Sequence, residues 1–146
     1  PLEVWEAIPE VDDVFAFLHR FATWCALPTD LLVVALVYMD RLLETPNLGT
    51  GCLTARCWRP ILTICFLLAS KMWEDWCICN SEVARFVGFT YESLLCWELA
   101  ALELLDWNIN ISAEVYAPYF WAVREVLLEG KDEQVGGFTG PLSTIE

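Results

Sequence analysis

The chain has 146 residues and a net charge of -13, with 21 acidic residues against 8 Lys plus Arg. Hydrophobic residues make up 57%, including 8 Trp and 8 Phe, which excludes a disordered chain and suits one domain with a sizeable core. So acidic a chain repels phosphate backbones and anionic lipid, and no apolar run approaches the roughly 20 residues that span a bilayer.

In chain order, residues 1–12 read as a lead-in, with Trp5 and Ile8 expected to pack onto the domain. Pro9 and the acids Asp12 and Asp13 mark a helix start, where negative charge suits the positive end of the dipole. Val14, Phe17, Leu18, Phe21 and Cys25 then recur at helical spacing, predicting a helix from Glu10 to Ala26. Pro28 breaks it, and Thr29 or Asp30 starts a second, mostly apolar helix to Glu44. Pro46, Asn47, Gly49 and Gly51 are loop chemistry.

The third helix begins near Trp58, because Pro60 fits only a first turn. From Ile61 to Ala69 only Thr63 is polar, so this helix must be surrounded by others. It then turns polar at Ser70-Lys71-Met72-Trp73-Glu74-Asp75, which predicts an exposed C-terminal end. Asn80 or Ser81 is expected to cap a short helix, Glu82 to Val87, ended by Gly88. A fifth helix starts at Thr90-Tyr91-Glu92-Ser93 and carries Leu94, Leu95, Glu98, Leu102 and Leu105 up to Trp107. Asn108-Ile109-Asn110 breaks the pattern. A sixth helix, within residues 111–130, carries Val115, Tyr116, Tyr119, Phe120, Val123 and Leu127; residues 131–146 are expected to be an extended tail.

Seven cysteines are an odd number, several sit inside apolar helical patterns, and no Cys-x-x-Cys occurs. Cys77, Cys79 and His19 match no common zinc spacing. Reduced structural thiols, no metal, no cofactor and an intracellular location, cytoplasmic or nuclear, are therefore expected. The chain opens at Pro1 like an excised fragment, and a membrane anchor in flanking sequence would not be visible.

These pieces together resemble the cyclin box, above all that of cyclin Y and its relatives, which are similar to the yeast phosphate-pathway cyclins. The residues that carry the likeness are Val37-Tyr38-Met39-Asp40-Arg41-Leu42-Leu43, Leu67 to Asp75, Asn80, Leu104 to Asn110, and Val115-Tyr116-Ala117 with Tyr119, Phe120 and Arg124. The resemblance implies an all-α fold of five helices around a buried third, placed at residues 13–110, plus one extra C-terminal helix. It implies a regulatory subunit, not an enzyme, that binds and activates a cyclin-dependent protein kinase of the PCTAIRE or PFTAIRE type by packing on the kinase αC helix. Lys71 and Glu98 match the Lys and Glu that in cyclins hydrogen-bond the start of αC. Leu68, Met72, Leu102, Trp107 and Ile109 match apolar positions lining the kinase groove. Leu68 and Leu102 can equally be core, whereas Met72 and Trp107 sit at helix ends where an exposed anchor is expected. Glu74 either pairs with a kinase arginine or solvates the helix end.

Some cyclins dock substrates on a Met-Arg-Ala-Ile-Leu motif in the first helix; here Val14 to Arg20 reads differently, so such docking is not expected. A second cyclin box is not expected either. The competing reading is a cyclin-fold interaction module without kinase activation. A DNA-gripping module would need a basic face. An enzyme would need a Ser/His/Asp grouping, a phosphate-cradling glycine loop or a metal cluster, and none stands out.

Overall fold

The computed structural model describes residues 9–46, 57–75 and 78–135, with side chains through residue 125. Six helices follow one another: α1 (Val11–Cys25), α2 (Thr29–Glu44), α3 (Trp58–Trp73), α4 (Asn80–Val87), α5 (Tyr91–Leu104) and α6 (Ala113–Val135). No strand occurs among the described residues. Asn47, Gly49 and Gly51 of the predicted loop and the packing of Trp5 and Ile8 lie outside them.

Local chemistry sets most boundaries. Glu10 opens α1 with a capping box, its N–H donating to Asp13 Oδ2 at 3.2 Å. Pro60 sits in the first turn of α3, where its missing N–H costs nothing. Gly88 closes α4 at φ 79°, a conformation other residues adopt only with strain, and its N–H donates to Ala84 O at 2.9 Å. Thr90 caps α5 by accepting from the Ser93 N–H at 3.1 Å.

Three boundaries differ from the sequence expectation. α4 begins at Asn80, whose side chain does not cap the helix but reaches across to α5. α5 ends at Leu104, short of Trp107, because Asp106 and Trp107 take left-handed conformations that cannot continue a helix. α6 runs through Gly130 to Val135, past the predicted start of the tail at residue 131; residues 136–146 lie outside the described residues.

α3 is the axis of the core. Trp58 and every residue from Leu62 to Ser70 are buried, so between its first and last turns the helix has no outward face. α2 lies along one side of it, and α4 and α5 along another. α1 is joined through rings: Phe21 stacks on Phe66 of α3 at 5.3 Å and meets Phe86 of α4 edge-on at 5.9 Å. Truncating a side chain such as Leu67, fully buried at this axis, to Ala would cost about 2–5 kcal/mol. The Thr63 hydroxyl is also fully buried and meets no hydrogen-bond partner among the described residues. Burial pushes the Cys25 and Cys65 thiols up to about 12, so both stay protonated and inert.

α6 docks on α2 through polar tips. Tyr119 OH donates to Asp40 Oδ2 at 2.5 Å and Tyr116 OH to Asp30 Oδ1 at 3.1 Å.

Candidate functional site

The buried axis surfaces at Lys71, on the last turn of α3, where the helix dipole favours a cation. Lys71 Nζ donates to Glu98 Oε1 of α5 at 2.5 Å. Asn80 Nδ2, at the start of α4, donates to the other oxygen, Oε2, at 2.8 Å. Both oxygens of Glu98 are thus held by groups from different helices. Its side chain is 12% exposed, while that of Lys71 keeps 30% of its surface open. The buried Ser70 hydroxyl accepts the Ile78 N–H at 3.2 Å, tying the approach to α4 to the last turns of α3.

The segment after α5 forms the neighbouring wall. Asp106 and Trp107 stand at φ 52° and 57°, and the Trp107 N–H donates to Leu102 O at 2.9 Å. A bulky residue costs roughly 1–2 kcal/mol in that region, yet the Trp107 side chain is 58% exposed and recovers little by burial. The following loop is latched to α2. Arg41 Nη1 donates to Asn108 O at 2.9 Å and Asn110 O at 3.0 Å, and Tyr38 OH donates to Ile109 O at 2.7 Å. Trp73 Nε1, at the end of α3, reaches Tyr38 OH at 3.4 Å. Burial raises the Tyr38 phenol above its ordinary value, so it remains a donor.

The residues singled out from sequence fall into three groups. Lys71 and Glu98 meet directly, as expected of a pair. Met72 (44% exposed) and Trp107 open to solvent, while Leu102, Ile109 and Glu74 are half-buried. Leu68 is 3% exposed and belongs to the core, so it offers a partner no surface; a helix apolar on all sides gives no way to tell its inner face from its outer one. Sequence reasoning took Asn80 for a cap and missed its bond to Glu98. It also counted Leu95 in the helical spacing that carries Glu98, and Leu95 is 41% and Leu99 49% exposed. Together with Tyr91 they form an outward stripe at four-residue spacing, one turn from Glu98. That spacing was readable, but the inward residues of α5 repeat similarly and obscured it.

Among the described residues no three His, Cys, Asp or Glu side chains gather to hold a metal, and no helix is long and apolar enough to cross a membrane. What the corner offers is a fixed cation and a fixed carboxylate framed by exposed apolar side chains. No solved structure matches the chain. The cyclin family pattern matches residues 5–109. The chain belongs to the cyclin family, whose members are regulatory modules and not catalysts.

Proposed function

We propose that this cyclin binds and activates a cyclin-dependent protein kinase of the PCTAIRE or PFTAIRE type inside the cell, through the corner formed by Lys71, Glu98 and Asn80. The observation that carries this reading is the Lys71–Glu98 contact: two ionic groups brought together from α3 and α5, the carboxylate mostly buried and the ammonium partly open, with exposed Met72 next to Lys71 in the chain. Kinase activity needs a Lys–Glu pair completed by an inward αC helix. A rigid cyclin supplies no catalytic group; it binds the inward state better and shifts the population. Moving that equilibrium from 1:99 to 99:1 takes about 5.5 kcal/mol of differential affinity. An apolar frame can contribute this at about 25 cal/mol per Å² of buried surface, over roughly 200 Å². The assignment to the PCTAIRE and PFTAIRE kinases rests on the likeness to cyclin Y.

The test mixes the purified chain with a panel of such kinases and follows complex formation and substrate phosphorylation. Wild type binds and raises activity, while Lys71→Ala with Glu98→Ala loses both and keeps its helical circular dichroism. Unchanged binding by the double variant would sink the site assignment. Binding without activation would leave a cyclin-fold interaction module.

A further inference from the structure

The opposite end of α3 carries a feature that the kinase-binding reading does not use. A pocket of about 210 Å³ lies between α1, the first turn of α3 and the end of α4. Asp13, Phe17, Arg20, Arg59, Phe86 and Val87 line it. Arg59 and Lys71 sit at the two ends of α3, so at 1.5 Å of rise per residue the pocket stands about 18 Å from the corner. Both arginines are exposed, and each guanidinium is set against a ring: Arg20 over Phe86 at 5.8 Å and Arg59 over Trp58 at 5.1 Å. The whole chain carries -13 and only 8 Lys plus Arg, so two arginines in one small wall reverse the sign of its surface. They repel each other. Asp13, the one acid in the wall, offsets a single charge, and its Oδ2 already accepts the Glu10 N–H.

We propose that this pocket binds the phosphate of a phosphoserine or phosphothreonine in a partner protein. A guanidinium holds its N–H donors in a fixed fork, which takes phosphate oxygens two at a time and leaves donors for other contacts. Two forks, one from α1 and one from α3, offer more than a single carboxylate can accept. A phosphomonoester answers them with close to two negative charges and three oxygens. Arg59 stands in the first turn of α3, where the helix dipole is positive and no acid of that turn opposes an anion. Phe17 and Phe86 give the pocket an apolar floor for the carbon atoms that carry the phosphate, and the short stem of serine or threonine keeps a peptide within their reach. A nucleic acid is a poor source of the phosphate, because a chain of net charge -13 repels the rest of its backbone. The site is independent of the kinase-binding corner.

The test follows the arginine Nε–Hε signals of the isotope-labelled wild-type chain by NMR, with no kinase present. The probe is a short neutral peptide carrying one phosphoserine. The Arg20 and Arg59 signals should shift and saturate, while those of Arg41 and Arg124 stay in place. Arg20→Gln with Arg59→Gln should weaken binding at least about tenfold and keep its helical circular dichroism. Lys71→Ala with Glu98→Ala should bind the peptide as wild type does, which separates this site from the corner. Shifts that do not saturate, or that persist at other signals in the arginine double variant, would overturn the proposal. Equal binding of the same peptide with glutamate in place of phosphoserine would also overturn it, since a carboxylate would then suffice. Inorganic phosphate bound as tightly as the peptide would make the ligand a free anion and remove the partner protein.

Discussion

The seam between α2 and α6 and the corner between α3 and α5 use the same chemistry to different ends. At the seam, Asp30 and Asp40 each accept a tyrosine hydroxyl, and Arg41 and Tyr38 take up three carbonyls of the loop after α5. Its bonds join elements of this chain to one another, and it holds α6 and the loop in place. At the corner, Glu98 is satisfied on both oxygens, but Lys71 stays 30% open and Met72, Trp107, Leu95 and Leu99 face outward. One region spends its polar groups on the fold; the other orients them and leaves apolar surface uncovered. Loss of a group at the seam should therefore read out in stability, and loss at the corner in partner binding.

The largest effect that would sharpen this contrast is at Glu98. Glu98→Ala leaves Lys71 and Asn80 without their shared acceptor and removes the carboxylate proposed to meet the kinase. Truncating one member of a buried, hydrogen-bonded charge pair at an interface costs about 2–5 kcal/mol. Kinase affinity measured by calorimetry should fall at least about 30-fold. A Kd within threefold of wild type would break the contrast.

Arg41→Ala should do the reverse. It strips the charge-assisted bonds to Asn108 O and Asn110 O, and urea unfolding should show a loss of about 2 kcal/mol. Kinase affinity should fall less than for Glu98→Ala, since the loop keeps its Tyr38 bond at Ile109. A stability equal to wild type would show that the latch carries no weight. Trp107→Gly comes next. Glycine adopts φ 57° freely, so relief of backbone strain should raise unfolding stability by about 1 kcal/mol. If the exposed indole is a partner anchor, the same variant binds the kinase more weakly. A variant both more stable and equally tight would remove Trp107 from the interface.

How far all this was readable beforehand differs along the chain. The existence of α3 and its burial follow from the run Ile61 to Ala69, because no amphipathic packing can satisfy a helix apolar on every side. The pairing of Lys71 with Glu98 was reached only through likeness to cyclins; 27 positions separate them, and no local rule spans that distance. The Asn80 bond was hidden because asparagine before a helix has a local explanation, capping, that competes with the tertiary one. The latch from Arg41 to the loop was invisible for another reason: its acceptors are backbone carbonyls, which every residue has.

The smallest effect tests the seam by pH. Tyr119 OH donates to Asp40, and that bond, followed by burial and the nearby negative charge of Asp40, pushes the phenol from 10.0 up to about 12. The folded chain therefore holds this proton more tightly than the unfolded one, which sets the sign: the contribution is fully present below about pH 10 and is lost as pH rises through about 12. The hydroxyl is only half-buried, so solvent screening keeps the bond at the low end of the usual range, about 0.5 kcal/mol. Urea unfolding of wild type and Tyr119→Phe should differ by that amount at pH 8. The gap should close as pH rises from 10 to 12, because ionisation leaves the phenolate facing the Asp40 carboxylate and removes the bond that Phe lacks. A gap that is constant across this range would mean that the tyrosine ring, and not its hydroxyl, secures α6 to α2.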